Sequence, residues 1–188
     1  ELGEIRTAVI DTVDRLGRWV TALVSYLHPL SPNRQRQQLT TIFDAAIDLL
    51  APRLADSGVH IERTRWDENV AIVVDADLLE QALYGLLNNA VEASQSGQVI
   101  EIGVQAQDHQ VVAWIEDMAG GIPFQPEPSE LAPGPSTKRF GTGLGIPVAF
   151  KICGVLGLKL EFIVTPGRGT RVNITAAMAE GQDLDDAE

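Results

Sequence analysis

A single cysteine, Cys153, stands among 188 residues, so no internal disulfide can staple this chain and a reducing, cytoplasmic setting fits. Long apolar runs are missing too: no stretch approaches the ~18 residues that would cross a bilayer as a helix. No signal-peptide pattern opens the chain, which begins at Glu1 rather than Met and so reads as an excised piece. Positive charge is scarce. The 14 Lys and Arg against 26 Asp and Glu leave a net charge of −12, which argues against nucleic acid as a partner, because counterion release needs clustered cations. Much of the negative charge reads as solvated surface, and residues 179–188 read as a disordered acidic tail.

What is present suits one good-sized core with an appended helix. Val9, Val13, Leu16, Val20, Leu23 and Leu27 alternate four and three apart, the seam of a helix that packs into a left-handed bundle. Pro29 and Pro32 end it. Leu39, Ile42, Phe43, Ala46, Ile47, Leu50 and Leu54 predict a second helix stopping near Gly58. Strands are expected over Val59–Arg63 and Val70–Val74. Asp77 with Glu80 reads as the cap of a third helix that buries Leu79, Ala82, Leu83, Leu86, Leu87 and Ala90. Two strands follow, Val99–Ala106 and Gln110–Glu116, turning near Asp108. A Pro- and Gly-rich loop from Ile122 to Arg139 exceeds ordinary connection lengths and reads as a lid or as disorder. A helix from Gly143 to Leu156 and two strands flanking Gly167 complete the chain. The pattern predicts an α+β fold, a two-layer sandwich of a mixed sheet with helices over one face. Its boundaries are a bundle helix over 1–30 and a main domain over 36–178.

Four short stretches occur in this order: Asn88-Asn89-Ala90-Val91-Glu92-Ala93, Asp117-Met118-Ala119-Gly120-Gly121-Ile122-Pro123, Gly141-Thr142-Gly143-Leu144-Gly145, and Gly167-Arg168-Gly169-Thr170. Glycines let a chain pass beneath phosphates, and the free N–H groups of a helix start attract anions. A dinucleotide-binding fold would need a further Gly at Ile146, and a Walker loop would need Gly-Lys-Ser/Thr; both are absent. Taken with the elements between them, the four stretches resemble the ATP-binding domain of sensor histidine kinases. That domain belongs to the superfamily shared with gyrase-type ATPases, heat-shock chaperones and mismatch-repair proteins.

The resemblance implies a Bergerat-type ATP-binding fold using ATP and Mg²⁺. It gives Asn89 the role of metal ligand and Asp117 that of acceptor for the adenine amino group. A charged acceptor suits that task, because such bonds are roughly twice as strong as neutral ones. Gly121, Gly141, Thr142, Gly143, Leu144, Gly145 and Thr170 would line the nucleotide, and Thr137, Lys138 and Arg139 would reach the terminal phosphates as the lid closes. The same resemblance makes the N-terminal helix the second helix of a homodimeric bundle and a response-regulator receiver domain the downstream partner, with no membrane contact within this stretch.

Several positions depart from the family pattern. Gly85 replaces an Asn and Ala119 replaces a Gly that could need positive φ. Leu131 and Pro135 stand where aromatics are usual, and Glu92 stands where Lys or Arg is common, its role split between a solvated charge and a place near the metal. Relatives that hydrolyse ATP carry a Glu general base at the Gly85 position, so steady hydrolysis by that route is not expected. His28 precedes Pro29 at a helix exit, while His60 and His109 fall in a strand and a turn; none matches an acceptor, which is expected on a helix outside this chain. The alternatives are an adaptor or pseudokinase that kept the fold but lost nucleotide, and a protein-serine kinase of the anti-sigma-factor type. The bundle seam speaks against the last.

Overall fold

The computed structural model describes residues 30–122, 126 and 145–179. The bundle helix expected over 1–30 (Leu30 apart), almost all of the expected lid, and the tail beyond Ala179 lie outside the described residues. The elements are β1 (Gln35–Gln38), α1 (Leu39–Ser57), β2 (His60–Trp66), β3 (Ala71–Val74), α2 (Ala76–Ala93), β4 (Val99–Gln107), β5 (Gln110–Asp117), α3 (Gly145–Leu156), β6 (Lys159–Thr165) and β7 (Gly169–Ala177).

Five strands form one mixed sheet in the order β2-β4-β5-β7-β6. The β2–β4 pair is parallel and the rest are antiparallel. Alternation along each strand sends one set of side chains inward: Ile100, Ile102 and Val104 from β4, Val111, Ala113 and Ile115 from β5, Val172, Ile174 and Ala176 from β7. Helices α1, α2 and α3 close over that face with Phe43, Leu50, Leu79, Leu83, Leu87 and Ile152, all almost fully buried. Such burial is worth about 1.5–3 kcal/mol for each large side chain and holds the layers together.

The elements predicted within the described residues are present, with local differences that have physical causes. Strand β1 was not foreseen, because Gln35-Arg36-Gln37-Gln38 has no apolar alternation. It forms by pairing antiparallel with β3, apart from the main sheet. The cap of α2 is Asp75 rather than Asp77. Asp75 is extended (φ −82°, ψ 114°) and its carboxylate accepts the N–H of Leu78 at 3.1 Å, whereas Asp77 already lies in the first turn. Gly58 ends α1 in the left-handed region (φ 67°) and donates its N–H to the Leu54 carbonyl at 3.0 Å. Asp108 turns β4 into β5 at φ 53°, a conformation Asp tolerates better than most residues.

The helix-free face of the sheet is not bare. Trp114 lies there only 4% exposed, with the Arg171 guanidinium 4.6 Å from its ring centroid and a salt bridge from Arg171 to Glu116 at 3.0 Å. The indole fills the space over Gly103, where any Cβ would overlap the ring. Among the described residues no helix is long and apolar enough to cross a membrane.

Candidate functional site

The site is built where β5 and β7 end side by side. Asp117 is the last residue of β5 and only 8% exposed; its register partner across the sheet is Thr170, near the start of β7. One carboxylate oxygen, Oδ1, accepts the backbone N–H of Ala119 at 2.9 Å and that of Thr170 at 3.4 Å. One donor lies two residues along the chain and the other 53 residues away, and together they fix the direction of the acid. The strands must approach closely for this. At Gly169 a Cβ would run into the carbonyl oxygen of Asp117, so only glycine fits.

The turn after Asp117 is shaped by two left-handed glycines, Gly120 (φ 89°) and Gly121 (φ 83°). Gly120 donates to the Arg168 carbonyl at 3.2 Å and accepts from the Gly167 N–H at 2.9 Å, so this turn docks onto the β6–β7 hairpin. A Cβ on Gly121 would stand 3.1 Å from the Thr165 carbonyl oxygen. Ala119 does not occupy the positive-φ region, and its departure from a Gly pattern costs the backbone nothing. Met118, whose carbonyl accepts from Gln98 Nε2 at 3.2 Å, completes the turn.

Thr170 carries the strongest local signal of a missing ligand. It is 5% exposed, and its hydroxyl oxygen is buried with no hydrogen-bond partner among the described residues. A buried orphan hydroxyl costs about 1–3 kcal/mol, so its place beside an oriented carboxylate calls for a polar group that the described residues do not supply.

A second cluster lies between α2 and α3. The described part of α3 begins at Gly145, and a Cβ there would be 3.0 Å from Nδ2 of Asn89. The half-buried Asn89 amide thus abuts the start of α3, where helix N–H groups lack internal partners. Pro147, buried in the first turn, gives up an N–H that the helix does not need. One turn before Asn89, Gly85 has nothing among the described residues within 4 Å of a would-be Cβ. The gap beside Asn89 is therefore not enforced by packing.

Glu92 links two helices. Its Oε1 takes the Arg53 guanidinium of α1 at 2.8 Å and the Asn88 amide at 3.0 Å, which accounts for an acid here as a link between α1 and α2. Cys153 is fully buried in α3, and desolvation pushes its thiol from 9.0 up to about 12, which leaves it inert rather than nucleophilic. Among the described residues no cluster of three His, Cys, Asp or Glu side chains is placed to hold a metal.

Of the residues singled out from sequence, Asp117, Gly121 and Thr170 come together in one cluster, and Asn89 and Gly145 in the other. Thr137, Lys138, Arg139, Gly141, Thr142, Gly143 and Leu144 lie outside the described residues. Gly169 was read only as one member of the Gly167-Arg168-Gly169-Thr170 turn, without its close approach to Asp117, and the Ala119 N–H was missed. The Gly-x-Gly spacing of 167–169 was the available signal, but an ordinary hairpin explains that spacing equally well.

Comparison with known proteins identifies the family and the fold. The model of the histidine kinase-, DNA gyrase B- and HSP90-like ATPases matches residues 74–180. The sensor histidine kinase ZraS of Klebsiella oxytoca is 27% identical over 170 residues, covering 90% of this chain and 37% of its own length. The chain therefore spans well under half of that curated relative. Among solved structures, the Acinetobacter baumannii histidine kinase AdeS shares the fold at a TM-score of 0.74 with 20% identity, covering 93% of this chain and 84% of that one. Histidine kinase ThkA, solved in complex with the response regulator TrrA, matches at a TM-score of 0.75 with 17% identity, covering 95% of this chain and 52% of that one.

Proposed function

The chain belongs to the histidine kinase-, DNA gyrase B- and HSP90-like ATPase family, and on that premise we propose that it is the ATP-binding catalytic part of a two-component sensor histidine kinase. The observation that carries this reading is the orphaned Thr170 hydroxyl beside the oriented, buried Asp117 carboxylate. A purine with an exocyclic amino group answers both: the amino group donates to Asp117, and ring nitrogens or a bridging water satisfy Thr170. Guanine offers a carbonyl where adenine offers the amino group, and a carboxylate repels it.

The residues present also fit Mg²⁺. The ion is hard, prefers oxygen and keeps several waters, so the neutral amide oxygen of Asn89 would hold it without adding negative charge. When bound, the ion neutralises charge on the transferring phosphoryl group. The chain's own part is positional. Asp117, Thr170 and Gly121 hold the base, the start of α3 and Gly141, Thr142, Gly143, Leu144 and Gly145 offer backbone N–H groups, and Thr137, Lys138 and Arg139 approach the terminal phosphates. Gly85 offers no base for water, which favours transfer of the γ-phosphoryl group to a histidine over hydrolysis.

That histidine lies on a further helix, reached through a homodimeric bundle to which residues 1–30 contribute. Residues 36–178 form the catalytic domain and 179–188 an acidic tail. The phosphoryl group then passes to a response-regulator receiver domain, a partner supported by the ThkA–TrrA complex. The reaction belongs to the cytoplasm, and anchorage of the whole protein is a separate matter. A nucleotide-deficient adaptor is the second reading, favoured by the open space at Gly85.

Calorimetric titration with ADP and a non-hydrolysable ATP analogue, with and without Mg²⁺, tests the proposal. Micromolar, Mg²⁺-sensitive binding of the triphosphate analogue supports a kinase. No heat and no thermal stabilisation by nucleotide leaves the adaptor.

A further inference from the structure

Residues 30–38 lie across the far ends of the two helices that carry the second cluster. Leu30 packs partly buried against the core. The Asn33 N–H donates to Oδ2 of Asp75 at 2.7 Å, while Oδ1 of the same carboxylate caps α2 through Leu78. The next side chain, Arg34, donates Nη2 to the Val155 carbonyl at 2.7 Å, in the last turn of α3. Gln35–Gln38 then pair with Val74–Ala71 as β1 on β3, and Leu39 N–H reaches the Val70 carbonyl at 3.3 Å. The strap thus holds the beginning of α2 and the end of α3 together.

Those helices run antiparallel, with Asp75 and Val155 at one end and Asn89 and Gly145 at the other. At 1.5 Å per residue, Asp75 is about 20 Å along α2 from Asn89, and Val155 about 15 Å along α3 from Gly145. A packed helix pair moves as rigid rods, so the relative placement of one end sets that of the other. An Arg on a helix C-terminal carbonyl is also favoured by the helix dipole, so the Arg34 contact is a defined seat rather than a chance surface pairing.

We propose that residues 33–38 are a positioning strap for the nucleotide site: through Asp75 and Val155 they set the α2–α3 arrangement that brings Asn89 against Gly145. The proposal rests on the nucleotide-binding reading above. Linkage then runs both ways, so whatever pulls on residues 30–34 changes nucleotide affinity, and nucleotide tightens the strap by the same factor.

Two variants isolate the contacts. Asn33→Pro removes the N–H that Asp75 accepts while leaving the Asp75 cap of α2 intact, and Arg34→Gln removes the cationic donor to Val155. ADP affinity is measured by calorimetry beside the melting temperature of the nucleotide-free protein, and amide exchange over residues 35–38 is followed with and without saturating ADP. Each variant is expected to bind ADP about three- to tenfold more weakly at an apo melting temperature within a few degrees of the parent. In the parent, ADP slows exchange in β1. The strap is overturned if both variants bind ADP within twofold of the parent, or if β1 exchange ignores ADP that is demonstrably bound. Failure of the parent itself to bind ADP instead removes the nucleotide reading, and the strap with it.

Discussion

Asp117 and Thr170 face each other across the ends of two antiparallel strands, the carboxylate of one accepting the backbone N–H of the other at 3.4 Å while the threonine hydroxyl has no partner among the described residues. A structural hydrogen bond would have used the hydroxyl, so the two residues separate into a fixed acceptor and a waiting one.

This separation predicts opposite effects from one substitution. Thr170→Val keeps the shape and removes the orphan oxygen, so the nucleotide-free protein should melt at the same temperature or slightly higher. Nucleotide affinity should fall by several-fold. Differential scanning fluorimetry with and without ADP reads both, and a loss of apo stability together with unchanged ADP binding would falsify the assignment of the hydroxyl to the ligand.

Asp117→Asn should be more severe. Loss of a charged acceptor costs about 1.5–3 kcal/mol, so ADP should bind at least about tenfold more weakly. The Ala119 and Thr170 N–H groups can still donate to the amide oxygen, and circular dichroism should show a folded protein. ADP binding equal to the parent's would move the adenine site elsewhere.

Two glycines should respond in opposite directions. Gly169→Ala places a methyl group against the Asp117 carbonyl and should cost at least about 2 kcal/mol. Gly85→Ala meets no atom within 4 Å and should stabilise the α2 interior by about 0.8–1 kcal/mol. Urea unfolding of both variants measures the contrast; equal midpoints would mean that the close approach at Gly169 relaxes freely.

The Arg53–Glu92 pair tests whether the acid serves the helices or the metal. Its carboxylate is 26% exposed and its guanidinium 39%, so a double-mutant cycle should give only about 0.2–1 kcal/mol, weakened by salt. Glu92→Gln should leave the Mg²⁺ dependence of nucleotide binding unchanged. A large drop in that dependence would return Glu92 to the metal site.

Burial sets the chemistry of Cys153. Its folded pKa, raised from 9.0 to about 12, means the native state keeps a proton that the unfolded state releases between those values. The stabilisation is complete below pH 9 and is lost as pH rises toward 12. Alkylation near pH 8.5 should therefore track unfolding, and the fall in urea midpoint between pH 9 and 11 should be smaller in Cys153→Ala. Rapid labelling of the native protein would contradict the buried thiol.

Much of this architecture was legible in the chain because it rests on short-range patterns. Helical spacing from Leu39 to Leu54 and from Leu79 to Ala90, period-two alternation around Val111 and Val172, and turns at Gly58 and Asp108 depend on neighbours a few residues away. Asp117 before paired glycines was legible for the same reason.

Apart from β1, the sequence by itself determined which of the described segments are helix and which are strand, and which faces are apolar. Only the tertiary structure decided that Asp75 rather than Asp77 caps α2, that the polar Gln35–Gln38 becomes a strand on β3, and that Glu92 leans on Arg53. It also set Gly169 against Asp117 and left the Thr170 hydroxyl without a partner among the described residues. The physical reason is range: propensity and periodicity act over one or two turns, whereas these contacts join segments that share no local pattern and meet only once the sheet and its helices have packed.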